Sequence, residues 1–297
     1  MKTIFIQQSR EGRNPWYAIP VLLLSSAGVI ILLNQLINRA LLPVLKSAGL
    51  VEVIGKELIT YLFIFVVFSA LTGVLYVIYR RIHQRPFRYL INTGKDVRWQ
   101  LFGKGFLLWG GLLFASMLLL NGFTLTDPLS DRSISRFVLL AIVTGVSLFI
   151  QTFWEELLFR GYLLQGAGRK FARLWLANGL ISLLFALAHF GYGLENLFHS
   201  FIFSVVITLI TLNDEGIERA AGIHFANNWL ILLFFTDVNE VVSSTFSWEV
   251  DGADLGLFIL CQVILLVSSV GFSALTRLPG LRAGKPAASP SVVAHRA

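Results

Sequence analysis

Residues 136–165 read RFVLLAIVTGVSLFIQTFWEELLFRGYLLQ. The stretch is long enough to cross a bilayer core, which takes about 20 mainly apolar residues in a helix. It nevertheless carries Glu155, Glu156 and Arg160. Ionisable groups at such depth cost about 2.5–3.5 kcal/mol each on insertion scales, so they face the protein interior and serve function. Both decisions about this chain, its solvent and its chemistry, begin here.

Working outward, apolar stretches of similar kind fall near 17–38, 57–79, 101–121, 174–190, 196–212, 219–236 and 255–276. The border between the fifth and sixth spans is the least defined. No strand alternation of the barrel type is present, and only helices otherwise satisfy a backbone in lipid. The expected fold is therefore an all-α membrane protein, a bundle of about eight transmembrane helices. Composition agrees: of 297 residues 56% are hydrophobic and 14% charged, against about 25% charged in soluble domains. The net charge of +7 fits Lys and Arg gathered on cytoplasmic loops, so no nucleic-acid partner is expected. Cys261 is the only cysteine, which excludes an intrachain disulfide and a cysteine-rich metal site. Lys2, Arg10 and Arg13 precede an apolar run too long for a signal-peptide core, so an uncleaved first helix is expected.

Charge orients the bundle. Arg80, Arg81, Arg85, Arg88, Lys95 and Arg98 load one connection, Arg169, Lys170 and Arg173 another, and Arg277, Arg282, Lys285 and Arg296 the tail. The 237–254 loop holds acids and no Lys or Arg. The positive-inside rule then places both termini in the cytoplasm, with the plasma membrane of a prokaryote as the expected location. Arg39, Lys46 and the acidic 213–218 turn are mild exceptions. Three regions are expected: 1–135 with about three spans, a catalytic core over 136–276, and a disordered tail over 277–297. Lys104 can snorkel from a helix end.

Helical geometry sorts the polar residues. Glu156 and Arg160 are four apart and share a face, so Arg160 neutralises Glu156 and leaves Glu155 free for another task. His189 closes the fifth span; counted from the turn near 166–170, Glu155 and His189 reach similar depth on neighbouring helices. His224 and Asn228 are again four apart, whereas Asn227 points elsewhere as a packing amide. By counting, His224 is shallower than Glu155 and His189. A carboxylate can act as general base on water, a neighbouring imidazole can share the proton work, and His plus Asn can stabilise an oxyanion. The same set could instead hold Zn²⁺ through His189, His224 and Glu155. Neither an H-E-x-x-H nor a G-x-S-x-G motif is present. Gln151, one turn before Glu155, is expected to hydrogen-bond within the bundle. Glu195 and His199 form an interfacial pair or line a substrate entrance. His83 and His295 sit in basic segments read as solvated.

Glu155-Glu156-x-x-x-Arg160, Phe185-x-x-x-His189 and His224-x-x-x-Asn228, in this order on successive apolar spans, resemble the signatures of the CAAX protease and bacteriocin-processing (CPBP, Abi) family of intramembrane proteases. The resemblance covers about residues 136–236. It implies that Glu155 and His189 activate water, that His224 and Asn228 hold the oxyanion, and that Glu156 and Arg160 support them. The substrate would be a membrane-associated peptide or protein, and the catalyst either glutamate or a divalent metal such as zinc. Two other classes compete: a non-catalytic binding or immunity module of the same family, and a proton-coupled transporter. A transporter would show two related halves with interrupted helices, which the sequence lacks.

Overall fold

The computed structural model describes residues 3–120, 133–190, 194–234 and 252–271. Most of the acidic 237–254 loop and the tail from 277 lie outside them. A helix occupies each of the eight apolar stretches. After a short N-terminal helix α1 (Ile4–Gln7) come α2 (Ala18–Leu36), α3 (Lys56–Arg81), α4 (Trp99–Leu120) and α5 (Ile134–Glu156). A π-helical segment, Leu157–Leu163, joins α5 to α6 (Leu164–Lys170). Then follow α7 (Leu174–Ala188), α8 (Leu194–Asp214), α9 (Glu218–Phe234) and α10 (Gly252–Val270). No strand is formed among the described residues, only an isolated bridge between Asn92 and Gly216.

Among the described residues, four helical runs are long and apolar enough to cross a membrane: Ala18–Ser47, Lys56–Arg81, Ile134–Lys170 and Asn196–Asp214. The helices Leu174–Ala188 and Gly256–Val270 are apolar but shorter. The first run continues from α2 through a π-helical segment, so Arg39 and Lys46 belong to the helix rather than to a loop after it. Only 6% of its most apolar window is buried inside the protein. Leu23, Leu24, Ile31 and Leu32 consequently stand exposed, as an all-round apolar helix does when lipid is its solvent.

Two glycines set the distance between α4 and α9. A Cβ on Gly222 would collide with the Phe102 carbonyl, and one on Gly105 with that of Arg219. Their absence lets the backbones touch, as small residues do between membrane helices. Trp229 then closes α9 on α5, its indole N–H donating to the Ala141 carbonyl and the Thr144 hydroxyl, both at 3.2 Å.

The basic connection after α3 is solvated only in part: Arg88 and Lys95 are exposed, whereas His83 and Arg85 are buried. His83 is 5% exposed. Its Nδ1 must donate to the Arg13 carbonyl at 2.8 Å, so in the neutral ring Nε2 accepts from the Tyr162 hydroxyl at 2.9 Å. The segment 3–14 lies over this connection as a strap. Phe5 is fully buried with Leu75, Tyr79, Leu90, Leu157, Tyr162 and Ile217. The Ile4 and Phe5 amides donate to the Glu215 carboxylate at 3.2 and 2.5 Å. Arg85 binds the carbonyls of Ser9 and Glu11 and donates to Asn14 Oδ1 at 2.6 Å. Charge suggested exposure; backbone carbonyls supplied by the strap make burial of Arg85 and His83 tolerable.

Candidate active site

The site is built where α5 passes into its π-helical segment, between α7, α8 and α9. Glu155 and Glu156 end the regular α5. A π segment widens the turn and is frequent at functional sites. Gly161 within it permits close approach of the 87–90 turn: an added Cβ would meet the Leu90 carbonyl at 2.5 Å.

Glu156 and Arg160 are wholly buried and paired at 2.9 Å. Three further groups hold the guanidinium: Ser204 Oγ at 2.7 Å, Thr208 Oγ1 at 3.4 Å, and the Phe185 ring, whose centroid is 4.5 Å from Cζ. Such company compensates a charge that burial would otherwise make prohibitive. Ser204 and Thr208 escaped the sequence reading. Their signal was available: two hydroxyls four apart on the apolar span Asn196–Asp214.

His224 connects both acids. Its Nδ1 lies 2.8 Å from Glu156 Oε1, the oxygen that also receives Arg160. Its Nε2 lies 3.6 Å from Glu155 Oε2. Phe185 and Phe203 flank the imidazole, each centroid 5.7 Å away. Glu155 Oε1 accepts from Gln151 Nε2 at 3.1 Å, the bond expected within the bundle. Glu155 Oε2 is buried and makes no hydrogen bond among the described residues.

The imidazole set against Glu155 is thus His224, where sequence counting matched His189 to it in depth. The counting took α9 to start at the membrane surface. Instead its first turn is roofed: Ile217 N donates to the Ile91 carbonyl at 2.8 Å, and Arg98 Nη2 meets Glu218 Oε2 at 2.6 Å. Glu218 is 1% exposed, so six residues further His224 is already deep. His189, half-buried at the end of α7, donates from Nδ1 to the Phe185 carbonyl at 2.8 Å. Its ring lies 4.6 Å from that of Phe185, which also touches His224.

Asn228 follows His224 by one turn and is half-buried. Its Oδ1 accepts from Asn227 Nδ2 at 3.2 Å, which leaves Nδ2 to donate elsewhere. Asn227 binds Trp109 across the α4 contact at 3.1 Å, as a packing amide should. Of the pair Glu195 and His199, the Glu195 side chain lies outside the described residues. The His199 ring lies 4.4 Å from that of Phe258.

Were a zinc ion present, Glu155 and His224 would be the residues to hold it, and it would supply a Lewis acid and an activated water. Among the described residues, however, no three His, Cys, Asp or Glu are gathered to hold a metal. A catalytic zinc takes three protein ligands. The residues present therefore supply two donors of an incomplete set, with His189 beyond the Phe185 ring.

Comparison with known proteins bears on this segment directly. Residues 134–230 match the family model described as type II CAAX prenyl endopeptidase Rce1-like, a stretch that contains all six candidate residues. The resemblance carried by the three signatures is borne out there. The chain is also 30% identical over 175 residues to the uncharacterized protein YyaK of Bacillus subtilis (strain 168), covering 54% of this chain and 56% of that one. The chain thus spans about half the length of that curated relative. No solved structure matches.

Proposed function

We propose that the chain is an intramembrane endopeptidase that hydrolyses peptide bonds of membrane-associated peptides or proteins, with Glu155 as general base on water. The observation that supports this reading most is the pair of facing acceptors, Glu155 Oε2 and His224 Nε2, 3.6 Å apart. Glu156 fixes the proton of His224 on Nδ1 and so turns a lone pair toward Glu155. A water seated beside both acceptors directs its two protons at them and its oxygen outward. That oxygen attacks the scissile carbonyl carbon while Glu155 takes the proton, later returned to the leaving amine. Asn228 Nδ2 is the donor for the tetrahedral oxyanion. His189 joins on the substrate side, because catalytic hydrogen bonds absent without substrate commonly form only in the complex. Glu156 and Arg160 hold His224 in place rather than touch substrate.

The test uses purified chain in liposomes, membrane-associated peptides, and cleavage products identified by mass spectrometry. Wild type is expected to cut, with His224→Ala, which removes an acceptor of the water, about 10²–10⁴-fold slower and Asn228→Ala, which removes the oxyanion donor, about 10²–10³-fold slower. Chelation is expected to leave the rate unchanged. Loss on chelation and recovery on adding Zn²⁺, with metal bound stoichiometrically, would replace the glutamate mechanism by a metal one. Binding of peptides without any turnover by wild type would instead favour the binding-module reading.

A further inference from the structure

The end of α3 carries two adjacent ladders at i, i+4: Tyr76 with Arg80, and Val77 with Arg81. Together they line one shallow groove of about 300 Å³. Tyr76 is 48% and Val77 55% exposed. The Phe87 ring meets Tyr76 edge-on at 5.3 Å and fixes that wall. Arg80 and Arg81 are exposed at the rim, and neither forms an ion pair among the described residues.

Each ladder therefore offers a guanidinium at the surface and an apolar contact one turn, about 5.4 Å, deeper along the helix. A phosphodiester joined to an acyl chain has the complementary order. We infer that this groove seats an anionic glycerophospholipid, its phosphate on Arg80 and Arg81 and its upper chain against Tyr76 and Val77. The site is independent of the peptidase reading. Arginines at the end of a span also favour the helix C-terminus and the cytoplasmic side in general. Those effects need neither a concavity nor a tyrosine wall braced from behind, and they predict diffuse rather than saturable binding.

The experiment is native mass spectrometry of the full chain in detergent, titrated with phosphatidylglycerol against a phosphatidylcholine background. The expected result is saturable retention of a single phosphatidylglycerol. Arg80→Gln with Arg81→Gln should weaken it about 25-fold, taking about fivefold per arginine. Lys95→Gln with Lys170→Gln removes the same charge from the same basic face and should weaken it less than about threefold. Glycerol phosphate at equal concentration should not displace the lipid; displacement would reassign the groove to free phosphate. Unsaturable binding, or equal loss in both double variants at unchanged melting temperature, would overturn the site. Val77→Ser keeps both charges and should still lower retention, so a folding failure of the arginine variant leaves the proposal open to refutation.

Discussion

Glu156 Oε1 receives both Arg160 and His224 inside a region with no solvent exposure. One oxygen thus balances a buried cation and orients the imidazole beside Glu155. Replacing it by Gln strands Arg160, and breaking a buried pair from one side costs about 3–5 kcal/mol. Glu156→Gln is accordingly expected to lower the melting temperature in detergent and the folded yield. Exchanging the two charges, Glu156→Arg with Arg160→Glu, should not restore either, because His224 Nδ1 would then face a guanidinium. Full rescue by the exchange would mean that the histidine contact contributes nothing. The Glu156–Arg160 pair was legible in the sequence, since four residues in a helix are neighbours by geometry alone. The contacts of Glu156 with His224 and of Arg160 with Ser204 were not. They cross between helices separated by 68 and 44 residues, and no helical periodicity encodes which faces meet.

At the scale of elements, every apolar stretch became a helix, because in lipid the backbone has no other local partner. The strap over residues 3–14 was missed. Its apolar content, Ile4 to Ile6, is too short a run to signal an element, and the arginines above and below it suggested solvent. Its keystone, His83, titrates. Burial foremost, with Arg85 and Arg169 nearby, pushes its pKa below the ordinary histidine value, while the bond to the Arg13 carbonyl opposes the shift. The Tyr162 hydroxyl, the other group on the ring, donates to the neutral form. Below about pH 6.5, the value of a free histidine, the unfolded segment takes up a proton that the folded one resists. Stability is therefore complete above that pH and declines as the pH falls toward the lower folded value. Hydrogen exchange of residues 3–14 is expected to quicken, beyond its intrinsic pH dependence, as the pH falls below about 6.5. His83→Gln, which keeps a donor and an acceptor without the titration, should flatten that change. An equally steep response in the variant would locate the sensitivity elsewhere.

Taken whole, the molecule puts the strap, the 82–98 connection and the end of α6 together, and this face gathers Arg10, Arg13, Arg85, Arg88, Lys95, Arg98, Arg169 and Lys170. We expect it in the cytoplasm. Cys261 is the only cysteine, so Cys261→Ser gives a background for single-site labelling. Lys95→Cys should react with an impermeant thiol reagent only in opened vesicles, and Ser47→Cys, at the far end of the first helix, in intact cells. The reverse pattern would invert the topology. The sequence also held the order of the three signatures along the chain, and with it the resemblance on which the proposed reaction class rests. The way α9 starts beneath a roof of Ile91 and Arg98 was beyond it, and that depth is what brings His224 to Glu155. The central claim is that Glu155 activates water there. Glu155→Gln keeps the shape of the side chain and its contact with Gln151 while removing the basic oxygen. The deciding measurement is its rate of peptide cleavage in liposomes, at a melting temperature equal to wild type. A fall of about 10²–10⁴-fold is predicted. Cleavage at the wild-type rate would contradict the assignment of Glu155 and, with it, the proposed chemistry of the site.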